Sequence, residues 1–436
     1  MGLKLVRKIV ALLFSFVCAF SAQAASLIND TETEKLLTEL VEPLGRAADI
    51  PDGRLKVHII NSDDFNAFVM GGEDVYVYTG LLTQIKSPSA LQAVIAHELG
   101  HTVGGHMAQM SARMDAELKR AMLIQALGVG LMVAGGNPSL GAGVLAGSGG
   151  VAQQSMLAFT RDEERIADDM GLNLLVKAGL EPEGFIDVLT QMGDMTSVLE
   201  SKVNPNRINH PLTSERLNNV KSQIQKIDSD YVAKNAPTAT QKKDFALVQA
   251  KLIGYLDNAD RVYTLYPNSD TSDAALYARA IARMQAGNLS GARVGTQTLI
   301  SRNPDNPYFY ELLGDIDYQL GHYDDSVEAY EKSLSLQESA PQIETALALV
   351  LTERNKPGDN ARAIELCKRS LLVQPAPLTY WVLARAYEDG GLSDWARAEY
   401  YHLRGDEENA RKYAKLARKK LPKDSPEYIK SGDLLK

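Results

Sequence analysis

The sequence predicts an α+β chain, mostly α, in which a mixed domain with a small β-sheet is followed by an all-α solenoid of helix pairs. Three observations predict it. Short runs of β-branched and aromatic residues lie near the start, helical signals fill most of the remainder, and the C-terminal half recurs with a period of about 34 residues. At 436 residues the chain has room for two or three domains, and 45% hydrophobic with 23% charged residues is the balance of a folded protein, not a disordered one.

The first 25 residues read as a unit of their own. Lys4, Arg7 and Lys8 precede an apolar stretch, Ile9 to Phe20, and Ala22-Gln23-Ala24 supplies small residues at a cleavage position. The pattern is that of a cleaved secretory signal; a membrane anchor would need a longer apolar stretch. A lipid-attachment box would need a small residue where Val17 precedes Cys18. Removing the segment takes the net charge from −9 to −12, which disfavours nucleic acid and anionic lipid as partners. It also leaves Cys367 as the only thiol, so no internal disulfide can form and stability must come from packed cores. Export without disulfides suits a bacterial periplasm.

Residues 26–235 are expected to form the mixed domain. Arg54–Asn61 and Glu73–Thr79 read as strands, and Gly71-Gly72 after Phe65–Met70 reads as the tight turn of a hairpin. Helices are predicted over Ser89–Met110, over Arg161–Ala178 ending at Gly179, and near Pro182–Gln191. Between the first two, Ala121–Ala152 is rich in Gly and Ala and broken by Gly135-Gly136-Asn137-Pro138. Gln125 and the Asn-Pro break argue for a buried or lid-forming helix pair over a membrane hairpin, with at most peripheral membrane contact.

A polar stretch, Asp228–Lys243, separates this from residues 244–436. There, Asn306-Pro307 opens a unit with Tyr310, Leu313, Gly314, Gly321, Tyr330 and Ser333 near the usual tetratricopeptide sites, and Pro341 opens the next unit 34 residues on. Ala363, Cys367, Ser370 and Pro375 repeat the second-helix spacing, as do Ala410, Ala414, Ala417 and Pro422, while Asp273–Pro304 is a degenerate earlier copy. Such pairs bury their faces only by stacking, and the stack offers a concave surface to peptides or partners. An irregular helical domain is the plainer alternative, and the recurrence argues against it.

The chemistry lies in His97-Glu98-Leu99-Gly100-His101. On a helix, residues four apart are about 40° out of phase, so both imidazoles project from one face. Two neutral imidazoles so placed suit Zn²⁺, and Glu98 beside the open position can take a proton from bound water. Leu91, Val94, Ile95 and Leu99 mark the helix as buried. A catalytic zinc needs a third protein ligand. His106 is five residues beyond His101, about 140° round the helix, and is expected to point away. Glu164 is the better candidate, with Glu163 its nearest rival; Asp168, four residues on, shares the face of Glu164 and can accept a hydrogen bond from a ligand histidine. His210, before Pro211, can stabilise an oxyanion, with Arg216 holding substrate or loop.

Asn66-Ala67-Phe68, the HExxH run, Glu164-Arg165-Ile166-Ala167-Asp168 as an ExxxD element, and His210-Pro211 with Arg216, in that order, resemble the gluzincin metalloproteases that include HtpX, Oma and the CAAX prenyl endopeptidase. The resemblance extends over nearly the whole chain after residue 25, towards periplasmic members with C-terminal tetratricopeptides. It implies one zinc per chain on His97, His101 and Glu164, with Glu98 as general base. It further implies that His210 can take the fourth zinc position in a latent state, and that the Phe65–Thr79 hairpin, through Asn66, Ala67 and Phe68, offers substrate an edge strand. The expected function is a periplasmic zinc endopeptidase in quality control of envelope and outer-membrane protein assembly. Its substrates would be unfolded or misassembled envelope proteins, and its repeats would dock, chaperone-like, on them or on the assembly machinery. The alternative is a non-catalytic chaperone or scaffold with a structural or latent zinc; an intact Glu98 argues against it, since a structural site needs no base. Arg354–Asn360 loosens the repeat spacing.

Overall fold

The structure, a computed structural model, describes residues 27–106, 160–199, 210, 214–337 and 339–436. Residues 1–25, read above as an export signal, the expected helix pair Ala121–Ala152 and Pro211 lie outside the described residues. Among the described residues no helix is long and apolar enough to cross a membrane.

The N-terminal part contains β1 (Leu27–Ile28), α1 (Thr31–Ala47), β2 (Lys56–Ile60), β3 (Ala67–Met70) and β4 (Asp74–Tyr78), then α2 (Thr79–Gln84) and α3 (Pro88–Val103). The strands make one sheet in the order β1-β2-β4-β3, with β2 and β4 parallel and β3 antiparallel to β4. The hairpin is therefore present, its turn relying on φ of +63° at Gly71 and +85° at Gly72, which side chains with a Cβ rarely adopt. Residues alternate across the sheet: Ala67 and Val69 point into the core, while the Phe68 ring stacks on Tyr76 at 4.8 Å on the other face. Helix α1 is an element that the signals above do not cover. Asp30 caps it, and Leu37, Leu40 and Leu44 from its inner stripe join Val75, Val77, Leu91, Ile95 and Leu99 in one core.

Helix α3 starts at the Ser87 cap and stops at Val103, short of Met110, because Gly104 and Gly105 (φ +69°) turn the chain. Helix α4 (Arg161–Ala178) has the bounds its sequence predicts, ending at left-handed Gly179, and it begins in a Thr160–Glu163 capping box. The two helices touch backbone to backbone. A Cβ on Gly100 would lie 2.5 Å from the carbonyl oxygen of Ala167, and one on Gly171 would lie 3.0 Å from that of Ala96. Any larger residue at position 100 would push α4 away, together with Glu164, one turn before Ala167, and Asp168, next to it. Helix α5 (Gly184–Leu199) packs on α3, and α6 (Ser214–Ile224) packs on α4 and α5.

The polar stretch before the repeats is largely helical: α7 (Ser229–Lys234) is capped by Asp228, and α8 (Ala239–Leu256) by a Thr238–Gln241 capping box. After the short α9 (Ala259–Leu265) come five pairs: α10 (Asp273–Gln285) with α11 (Leu289–Arg302), α12 (Pro307–Gln319) with α13 (Tyr323–Ser335), α14 (Pro341–Arg354) with α15 (Asp359–Val373), α16 (Pro377–Ala386) with α17 (Gly391–Leu403), and α18 (Glu407–Lys420) with α19 (Pro426–Asp433). The spaced small residues Ala363, Cys367, Ser370, Ala410, Ala414 and Ala417 are all buried between stacked helices. The loosened turn at 354–360 is held by Arg354, whose guanidinium grips both oxygens of Asp359 at 3.0 and 2.7 Å.

A buried charge cluster joins the two halves. Lys251 Nζ on α8 lies 2.5 Å from Asp30, 3.4 Å from Glu32 and 3.4 Å from Glu311, and Tyr277 Oη donates to Glu32 at 2.9 Å. One ammonium faces three carboxylates. Burial raises Asp30 too, but Lys251 and the bonds from Thr33 hold it below its ordinary value; at Glu32 burial wins and pushes it up to about 7. The unfolded chain gives up the Glu32 proton near the ordinary value of 4.5, whereas the folded chain keeps it to about 7. Stability from this group is thus full below about pH 4.5 and is lost as pH rises towards 7. Relative to Glu32→Gln, the wild type is expected to lose on the order of 3 kcal/mol across that window. Thermal unfolding at several pH values checks this, and parallel profiles for the two proteins would refute it.

Candidate metal centre

Helix α3 supplies His97, Glu98 and His101, α4 supplies Glu164 and Asp168, and His210 with Arg216 comes from the approach to α6 and its first turn. His97 and His101 share the face turned to α4, as i and i+4 positions must. Their Nε2 atoms are 3.1 Å apart. His210 Nδ1 lies 3.2 Å from His97 Nε2 and 2.8 Å from Glu164 Oε1, and the two Glu164 oxygens lie 3.5 Å from His97 Nε2 and 3.6 Å from His101 Nε2. One ligand atom from each of the four residues falls within 4.8 Å of the others, a group that can hold a metal ion. Ligands bound at about 2.0–2.1 Å in a tetrahedron stand roughly 3.3–3.4 Å apart, close to the 3.1 and 3.2 Å between the ring nitrogens of His97, His101 and His210. Three ring nitrogens and a carboxylate pointed at one buried spot need positive charge there.

Around these stand their supports. Asp168 Oδ1 is 2.9 Å from His97 Nδ1. Arg216 donates from Nε and Nη2 to the two Asp168 oxygens, each at 2.7 Å, and its Nη1 lies 2.6 Å from Glu164 Oε2. Arg216 therefore grips the two site acids, where the sequence suggested a hold on substrate or loop. Burial raises both acids, but Glu164 sits well below the ordinary carboxylate range because His210 and His97 bond its charged form, and Asp168 is lowered by Arg216 and His97. Burial would lower His97, yet Asp168 and Glu164 raise it to about 9; burial and the neighbouring His97 and His210 push His101 down to about 2. Glu98 is buried, which raises its carboxyl, and its Oε1 lies 3.3 Å from His210 Nε2.

Two acidic neighbours are separated by one residue of helical phase. Glu163, the rival, turns its Oε2 back to accept from the Thr160 N–H at 2.8 Å as the third member of the capping box, while Glu164 is fully buried in the cluster. His106 corrects an expectation. It does not point away, because the helix has already ended; its Nδ1 lies 3.0 Å from Nδ1 of His101, outside the four-atom group. A second group, Asp317, His322 and Asp325, is already served by Arg293, 2.6 Å from Asp317 and 3.0 Å from Asp325.

A cavity of 50 Å³ opens beside Glu98 and His97. Asn66 and Ala67 line it at the edge-strand side, and Phe185, Val188, Leu189 and Met192 of α5 line it opposite; Phe68 is not part of the lining. The α5 residues were missed as site residues, although their apolar 3-1-3 spacing is readable as one face of the third predicted helix. Among the described residues β3 is the outermost strand of the sheet, and its first residue, Ala67, lines this cavity together with Phe65 and Asn66 just before it.

Among the known proteins that this chain resembles are peptidases. The profile of Peptidase family M48 matches residues 31–224. The beta-barrel assembly-enhancing protease of Yersinia pestis is 27% identical over 406 residues, covering 88% of this chain and 78% of that protein. Its Escherichia coli K12 counterpart is 26% identical over 358 residues, covering 78% of this chain and 69% of that one. Metalloprotease YcaL of Escherichia coli K12 is 27% identical over 197 residues, covering 44% and 69%. Residues 31–224, which match the model of Peptidase family M48, hold every side chain of the centre, and with the metalloprotease relatives this makes the chain that of a metallopeptidase with a helical solenoid behind it.

Proposed function

We propose that this protein is a zinc endopeptidase of the periplasm that cleaves unfolded or misassembled envelope proteins and reaches them, or the outer-membrane assembly machinery, through its repeats. The observation that carries the reading is the convergence of His97, His101, Glu164 and His210 on one buried point, with Glu98 beside it on an open cavity. His97, His101 and Glu164 hold the zinc, one per chain, and Asp168 and Arg216 hold those ligands in place. Bound zinc supplies a Lewis acid that polarises the scissile carbonyl and acidifies water. Glu98 takes the water proton and passes it to the amine nitrogen as the C–N bond breaks, a role suited to a carboxyl raised by burial. The free edge of β3, at Asn66, Ala67 and Phe68, pairs with an extended substrate through main-chain hydrogen bonds, which gives little sequence preference.

His210 would hold the zinc as a fourth ligand with one nitrogen while the other meets Glu98, so the site would be latent until His210 moves away. The names of the Yersinia and Escherichia relatives support the place in outer-membrane assembly, and the signal-like residues 1–25 support export. No nucleic acid partner is proposed, and membrane contact is peripheral at most.

The four-ligand closure also favours a second reading, a scaffold with a structural zinc. One experiment separates the two. The purified chain is expected to carry one zinc and to degrade unfolded casein, more strongly as His210→Ala; a strong chelator stops cleavage and added zinc restores it. One tightly held zinc with no cleavage by either protein would establish the scaffold instead.

A further inference from the structure

The two histidines of α3 are supported differently on their outer sides. His97 Nδ1 faces the Asp168 carboxylate at 2.9 Å, whereas His101 Nδ1 faces another imidazole, that of His106, at 3.0 Å. Both rings of the second pair are buried, at 1% and 2% exposure. The place for the His106 ring is built into the backbone. Helix α3 ends at Val103, Gly105 reverses the chain at φ +69°, and a Cβ on Gly104 would lie 2.8 Å from His106 Nε2. The glycine pair therefore does two things: it stops the helix, and it leaves the room in which the ring returns over His101.

His101 presents Nε2 to the cluster, 3.1 Å from His97 Nε2. A neutral imidazole that ligates through Nε2 carries its proton on Nδ1, and that proton needs an acceptor when buried. The facing atom is His106 Nδ1, which accepts if His106 carries its own proton on Nε2. We propose that His106 is a positioning residue of the metal centre, accepting the Nδ1 proton of His101 and so fixing the tautomer and ring angle that turn Nε2 to the ion. The inference rests on the metal-site reading above. A neutral acceptor also fits the charge balance. A divalent ion with Arg216 offsets Glu98, Glu164 and Asp168, so among the described residues a further carboxylate at position 106 would leave surplus negative charge in a buried site.

The test is metal affinity of the full chain, measured by competition with a chromophoric chelator, together with the visible spectrum of the cobalt-substituted protein. His106→Phe fills the slot with a ring that cannot accept and is expected to weaken zinc binding about 10- to 100-fold and to shift the cobalt bands. His106→Asn places an amide oxygen near the Nδ1 position and is expected to restore affinity to within about threefold and to restore the spectrum. If the Phe variant fails to fold, His106→Leu replaces it in the comparison. Wild-type affinity and spectrum in the Phe or Leu variant, or equal loss in the Asn variant, would overturn the proposal. A wild-type chain that binds no zinc would instead bring down the metal-site reading itself.

Discussion

Glu98→Gln is expected to abolish peptide cleavage while leaving the metal in place. Glu98 lies outside the four-atom ligand group, so the substitution removes no ligand. Glutamine has nearly the same shape, and its amide can still meet His210 Nε2, which lies 3.3 Å from Glu98 Oε1 in the wild type. What it lacks is a site for the proton taken from water. Loss of a positioned general base costs about 100- to 10,000-fold in rate, and here the same carboxyl would also return the proton to the leaving amine, so the upper part of that range is expected. Cleavage of unfolded casein and zinc content per chain, measured on the same preparations, give the answer. A variant with full zinc and undiminished cleavage would remove Glu98 from the chemistry.

Arg216→Leu is expected to be the most damaging change for stability among the residues of the site. Arg216 is 5% exposed and holds both Asp168 and Glu164, with Nε and Nη2 each at 2.7 Å from Asp168. Taking it away leaves two buried carboxylates facing each other across the ligand histidines, and breaking a buried pair in this way costs about 3–5 kcal/mol. In a domain of this size that lowers the unfolding temperature by roughly 10 °C. Arg216→Lys is expected to recover little, because an ammonium cannot span Asp168 with two parallel bonds and reach Glu164 as well. The measurement belongs on metal-free protein, since a bound cation would neutralise the same acids and mask part of the loss. A leucine variant that melts with the wild type would show the acids to be held by something other than Arg216.

How much of this was readable along the chain depends on how far apart the deciding residues lie. The strands near Lys56 and Asp74, the turn at Gly71-Gly72, the α4 helix from its cap to Gly179, and the spaced small residues of the repeats all depend on neighbours within a few positions. So does the pairing of His97 with His101, one helical turn apart. Their outcome follows from local sterics and periodicity, which act before any distant segment arrives.

Other features had no local signal. Glu164 and Glu163 differ by one residue; Glu163 is taken up locally by the cap of its own helix, and the packing of α4 on α3 through Gly100 and Gly171 brings Glu164 into the cluster. Arg216 stood in the sequence as a charge of uncertain duty; its two acids lie about 50 residues away along the chain, and the fold alone gives it to them. His106 pointed away only on the assumption that the helix continued, and the junction around Lys251 draws acids from both halves of the molecule.

The sequence by itself thus determined the mixed domain followed by helix pairs, and the presence of two imidazoles and a carboxylate on one buried helix. The tertiary structure decided which acid completes the cluster, what each histidine leans on, and what Arg216 is for. The reason is physical: a helical phase is set by the next four residues, whereas a buried charge accepts whichever partner close packing brings within about 3 Å.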